Sequence, residues 1–224
     1  MKIIYAIYGA SGYGREVLPL LRQQFNLKRE NIFFIDDSFG ENAVIVNSTP
    51  VLSYQEFLSL EADSKMAVVA IANSSVRQRL TEKLIDDGVQ LVSVEAQNVI
   101  QYDEVDIGPS SILSAFVTLT SNISIGKSFQ ANIYSYVGHD CVIGDYVTFA
   151  PAVKCNGNVI IEDHAYIGTG AIIKQGSPTK PLRIGAGAVV GMGAVVTKDV
   201  PPGITVVGNP ARPFSKEALR NERK

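Results

Sequence analysis

His139 and Asp140, adjacent in VGHDCVIGD (137–145), are the residues best suited to proton transfer in this chain. An imidazole, whose ordinary pKa is about 6.5, is a usable base at neutral pH. Such a base can take the proton that a nitrogen or oxygen nucleophile loses as it attacks an electrophilic carbon. An adjoining carboxylate can orient that imidazole or stabilise its charged form. A second group suits an anion. GASGYG (9–14) places Gly9, Gly12 and Gly14 between the strand-like KIIYAIY (2–8) and a helix-like stretch. Backbone amides at such a turn can meet phosphate. The spacing is not G-x-G-x-x-G, since Ser11 takes the middle position. Asp36, 22 residues beyond Gly14, suits a ribose hydroxyl in a dinucleotide fold, while an ordinary turn accounts equally for Asp36 and Asp37. Arg77 stands on the helix after the third strand, where a surface arginine is as well explained as a ligand contact.

Two kinds of element must hold these residues. Residues 1–98 alternate strands and helices: IFFID (32–36), a short helix at 53–60 with Ser53 as cap and Glu56 three residues on, MAVVAIA (66–72), a helix at 74–88 stopped by Gly88, and VQLVSV (89–94). Apolar strands alternating with helices predict a small, Rossmann-like parallel α/β domain of about four strands. From residue 99 a six-residue rule replaces this pattern. Ile107, Leu113, Leu119, Ile125, Ala131, Val137, Ile143, Phe149, Cys155, Ile161, Ile167 and Ile173 are all apolar, and after SPTKP (177–181) the rule resumes at Ile184, Val190 and Val196. Small or aliphatic residues stand four after most anchors, and glycine follows many of them directly. A period of six is that of a parallel β-helix of stacked triangular coils, here over 99–214, with a charged tail at 215–224. The glycines after the anchors are expected to make the corners, and SPTKP to leave the wall as a loop. Cys141 and Cys155 point inward by this rule and offer no nucleophile. His164 precedes the inward Ala165 and reads as a surface wall residue.

Composition excludes other functions. Twenty basic residues against 22 acidic ones, a net charge of −2, favour neither nucleic acid nor an anionic membrane. No apolar run reaches the roughly 18 residues of a membrane span. Two histidines fall short of the three that a zinc site in a β-helix hydratase uses, so no metal is expected. Two cysteines without metal or disulfide spacing suit a reduced, bacterial cytoplasmic setting. A catalytically inactive scaffold that senses a nucleotide is the remaining alternative to an enzyme.

GASGYGREV (9–17), FIDD (34–37), IANSSVR (71–77), VGHDCVIGD (137–145), CNGNVII (155–161), GAVVGMGAVVTKDVP (187–201) and VVGNPAR (206–212) together resemble the NeuD/PglD-type sugar acyltransferases, left-handed β-helix enzymes. The likeness spans the chain apart from SKEALRNERK. It implies a homotrimer with active sites between subunits, acetyl-CoA as donor, and a UDP-, dTDP- or GDP-linked 4-amino-4,6-dideoxy sugar as acceptor in surface glycan synthesis. O-acetylation of sialic acid or another glycan is the alternative. By resemblance, His139 is the base and Asp140 its partner. Gly9, Ser11, Gly12, Tyr13, Asp36, Asp37, Asn73, Arg77 and Asn132 would surround the nucleotide sugar. Thr148, Gly157, Gly191, Met192 and Arg212 would line the acetyl-CoA site. Thr148 replaces a second histidine of one branch, which passes the oxyanion contact to its hydroxyl or to a backbone amide.

Overall fold

The computed structural model describes residues 2–39 and 44–214, so the charged tail at 215–224 lies outside the described residues. The first domain comprises β1 (Ile3–Tyr8), α1 (Gly12–Gln24), β2 (Ile32–Ile35), β3 (Val44–Val46), β4 (Thr49–Leu52), α2 (Tyr54–Ser59), β5 (Ser64–Val69), α3 (Ser74–Asp86) and β6 (Gln90–Leu91). Its sheet runs β3-β4-β2-β1-β5-β6, parallel except for the β3–β4 hairpin. The apolar run of β1 follows from burial on both faces: Ile4, Ala6 and Tyr8 enter one core, Tyr5 and Ile7 the other. Ser53 and Glu56 form the expected capping box on α2, and Gly88 at φ +76° follows the end of α3. The hairpin raises the sheet from the expected four strands to six. Asn47 and Ser48, both at positive φ, make the two-residue turn that matches strand twist.

The second domain is a triangular parallel β-helix of three sheets. Face I begins at Val94–Glu95 and includes Gln130–Ala131, Thr148–Phe149 and Tyr166–Ile167; face II includes Tyr136–Val137 and Lys154–Cys155; face III includes Ile123–Ile125 and Val142–Ile143. The first coil thus starts earlier than the expected boundary at 99. The run 89–94, read as one strand, is divided: β6 pairs with β5, whereas Val94 pairs with Ile112. Every predicted anchor from Leu113 to Val196 is buried, as are Cys141 and Cys155; only Ile107, at the open end, is half-exposed.

The corners differ from expectation. The left-handed residue lies three after each anchor, not one: Ser110, Phe116, Asn122, Ser128, Tyr134, Asp140, Tyr146, Ala152, Asn158 and His164 all have φ near +60°. The glycines directly after the anchors answer a different constraint, the coil stacked above. A Cβ on Gly108 would lie 2.5 Å from the Gly126 carbonyl carbon, and one on Gly138 would lie 2.6 Å from the Gly157 nitrogen. SPTKP leaves the wall between Ile172–Ile173 and Leu182–Ile184, closed by paired Ser177–Lys180 backbone bonds of 3.0 Å. The domains share a core, with Val94 and Ile112 of face I packed among Val17, Leu18 and Leu21 of α1.

Candidate active site

The proton-transfer pair sits on the edge between faces II and III. His139 follows the anchor Val137, and Asp140 takes the corner itself at φ +59°. Neighbouring side chains in an extended strand point oppositely. The left-handed turn removes that opposition, and His139 Nδ1 lies 2.7 Å from Asp140 Oδ2, with both side chains about half exposed. A carboxylate only accepts, so Nδ1 carries the hydrogen, and in the neutral imidazole that leaves the lone pair on Nε2. Asn122 Nδ2 donates to Asp140 Oδ1 at 3.2 Å from the equivalent corner one coil earlier. The hydrogen bond from His139 first, and then that from Asn122, hold the Asp140 carboxyl below its ordinary range. The imidazole ring lies against Gly157, where a Cβ would fall 2.6 Å from Cε1 and Nε2. Gly157 is therefore the seat of the ring. Cys141, the nearest sulfur, donates to Asn156 O at 3.2 Å from inside the wall.

The anion-suited turn lies elsewhere, against face I and the edge between faces I and II. Two of its glycines have packing reasons. Gly9 adopts φ +109° and donates its amide to Ile35 O at 2.8 Å, so that amide is spent. Gly14 faces the Gly9 carbonyl with no room for a side chain. Gly12 has open space, with nothing nearer a Cβ than Arg15 Nη2 at 3.9 Å, so it is the glycine a ligand can approach. The first turn of α1 presents its amides there, with Ser11 at the N-cap position making no side-chain capping bond. Gly12, Tyr13, Glu16, Gln130, Asn132 and Thr148 line a cavity of about 230 Å3 at this junction. The Tyr13 hydroxyl is buried near Arg77 and Ser114, and burial raises its pKa.

Several expected ligand residues are held by the protein instead. Asp36 accepts from Ala10 N at 3.0 Å and from Ser38, tying the turn to β2. Asp37 accepts from the Tyr8 hydroxyl and from Tyr54 N, each at 2.8 Å, the latter at the start of α2. Asn73 caps α3 by accepting from Val76 N. Arg77 is neither at the surface nor facing a ligand. It is fully buried, and its donors go to Ile71 O (2.7 Å), Ala72 O (3.1 Å), Ser128 O (3.2 Å), Gln130 Oε1 (3.1 Å), Tyr146 O (2.6 Å) and Thr148 Oγ1 (3.0 Å). Burial lowers its pKa to about 10, which leaves it charged at neutral pH. Thr148, half a coil beyond His139, is buried on face I between Arg77 and Ala72 O, turned away from the edge that carries His139. His164 is half-buried and stacks on Tyr146 at 5.3 Å instead of facing solvent alone.

Gly191 packs against Val207 and Met192 is 81% exposed, both on the same edge as Asn132. Arg212 is exposed and donates to Ala211 O. Asn122 and Gln130 were not anticipated as part of either cluster. Their signal is a period of 18, one full coil: Asn122 underlies Asp140 and Gln130 underlies Thr148. Among the described residues no three His, Cys, Asp or Glu side chains gather to hold a metal ion. No helix among them is long and apolar enough to cross a membrane.

Residues 5–84 match the PglD N-terminal domain family. GDP-perosamine N-acetyltransferase from Escherichia coli O157:H7 is 52% identical over 218 residues, covering 95% of this chain and 97% of that protein. WeeI from Acinetobacter baumannii AYE superposes with a TM-score of 0.92 at 62% identity, over 95% of this chain and all of that one. The acetyltransferase domain of PglB from Neisseria gonorrhoeae FA1090, solved with acetyl coenzyme A, has a TM-score of 0.83 at 27% identity, over 95% and 99% of the two chains.

Proposed function

The chain belongs to the NeuD/PglD-type sugar acetyltransferases, and on that premise we propose that it moves the acetyl group of acetyl-CoA to the 4-amine of GDP-perosamine. The fold is accordingly the left-handed β-helix behind a small α/β domain, and the reaction is N-acetylation of a nucleotide-linked amino sugar. The observation that carries the choice of acceptor is the 52% identity to the Escherichia coli enzyme over nearly the whole of both chains.

The chemistry follows from the pair on the II–III edge. The amine nitrogen attacks the thioester carbonyl while His139 Nε2 takes the proton that leaves the nitrogen. Asp140 holds Nδ1–H and balances the imidazolium charge. The tetrahedral intermediate then expels the CoA sulfur, which receives that proton, giving the amide and free CoA. No acyl-enzyme is required, and both thiols face the packed core.

Acetyl-CoA fits the same edge. A cavity of about 770 Å3 begins two coils beyond His139, where Lys174, Lys180 and Lys198 can meet its phosphates and the SPTKP loop forms one wall. The acceptor fits the cavity beside Gly12 and Tyr13 on the other edge. Face II separates these two sites within one chain, so we assign each working site to two copies in a homotrimer. Exposed apolar side chains on both edges support such packing: Phe116 and Tyr134 stack at 4.9 Å on the I–II edge while 52% and 60% exposed, and Val142, after the II–III edge, is 49% exposed. A bacterial cytoplasmic setting fits the two free thiols and the donor.

Purified enzyme should acetylate GDP-perosamine with acetyl-CoA and release CoA in equal amount, followed by thiol detection and mass spectrometry. Turnover of UDP- or dTDP-linked 4-amino sugars with none of the GDP sugar would reject the nucleotide; turnover of sialic acid alone would reject N-acetylation.

A further inference from the structure

Among the described residues Arg77 is the largest fully buried side chain, and it is a cation with no carboxylate in ion-pair reach. Burying a charge is costly unless hydrogen bonds replace its water. Here the replacement is complete and draws on both domains. Ile71 O and Ala72 O follow the end of β5, with Ala72 at the cavity. Ser128 O, Tyr146 O, Gln130 Oε1 and Thr148 Oγ1 belong to the β-helix.

The acceptors are themselves linked. Gln130 Nε2 donates back to Val69 O at 2.9 Å, and the Thr148 hydroxyl donates back to Ala72 O at 3.3 Å. The network therefore closes from sheet to helix wall and back again. Three of its members, Ala72, Gln130 and Thr148, line the cavity beside Gly12 and Tyr13. An isolated structural strut would not need its acceptors to double as cavity wall. The first-turn amides of α1 and Glu16 face the cavity from one side, and the wall opposite is held by the guanidinium behind it.

We propose that Arg77 is a positioning residue for the nucleotide-sugar acceptor: it fixes the Ile71–Ala72 segment after β5 to face I and thereby sets the width of the acceptor cavity. This rests on the functional reading above and assigns to a buried arginine a share of that acceptor's binding. Arg77 touches no substrate. Lysine keeps the charge but offers three donors from a single point, too few for six acceptors spread over two domains.

The test compares wild type with Arg77→Lys and Thr148→Val in steady-state assays, with GDP binding measured separately by calorimetry. Arg77→Lys should raise the KM for the GDP sugar and weaken GDP binding by about tenfold or more, leaving the acetyl-CoA KM within about twofold. Thr148→Val should shift the same two quantities in the same direction by a smaller factor. If Arg77→Lys does not fold, Thr148→Val decides on the same criterion. Equal rises in both KM values, or no rise in the acceptor KM of a folded variant, would overturn the inference. Wild type that binds GDP yet fails to acetylate the sugar would count against the functional reading alone, because the GDP arm still tests Arg77.

Discussion

Asp140 can serve His139 only because it occupies a left-handed corner. Asp and Asn tolerate that conformation better than most residues, and Asn122, Asp140 and Asn158 repeat it on three successive coils. His139→Ala should lower kcat by about 100- to 10,000-fold, the usual share of a general base, with both KM values little changed; steady-state kinetics checks this. The carboxyl of Asp140 titrates below its ordinary range, so the stabilisation it gives is complete above the unfolded pKa of about 3.9 and is lost as pH falls through the lowered value. The pair therefore survives mildly acidic solution. Asn122→Leu removes one donor and should move the Asp140 titration upward, toward ordinary carboxyl behaviour, as read by carbon NMR of the labelled carboxyl. At this scale the HD pair stood out from the hexad, but its reading as a base with a partner came from the family resemblance. Asn122 did not stand out, because its contact spans a coil and not a neighbour.

Glycine placement shows how far a repeat constrains an element. The period of six located the wall, yet the glycines it contains mark close approach between coils, while the turns fall two residues later on Ser, Asn, Asp and even Phe and Tyr. A repeat reports which positions are special without stating whether torsion or clearance makes them so. Gly157→Ala separates the two. Its Cβ would displace the His139 ring, so kcat should fall at least tenfold while the overpacking costs about 1–3 kcal/mol of stability. Kinetics beside thermal denaturation distinguishes these effects. The β3–β4 hairpin, by contrast, was written in VIVNSTPVL as a two-residue Asn-Ser turn and passed unread because its strands are short.

Across the whole molecule, two candidate sites occupy different edges of one prism. His139, Asp140, Gly157 and the lysine-lined cavity share the II–III edge; Gly12, Tyr13, Asn132 and Met192 gather at or near the I–II edge. If two chains complete each site, inactive His139→Ala protein mixed with an inactive acceptor-cavity variant such as Gly12→Asp should regain part of the activity after subunit exchange. Recovery absent from verified mixed trimers would place the whole site in one chain. Phe116→Glu should weaken association, seen by sedimentation, because a carboxylate replaces a member of the exposed aromatic stack.

The repeat in the sequence was enough to determine the β-helix, since a side-chain period of six has no other regular home, and the strand–turn–helix grammar was enough for the α/β domain. It also singled out His139, the residue that wall packing leaves unexplained. What only the tertiary structure decided is where long polar side chains spend their hydrogen bonds. Arg77, Asp37 and Thr148 looked available to ligands in one dimension and are committed to the protein in three. Their partners lie tens of residues away, brought near by the stacking of coils and by the docking of one domain on the other.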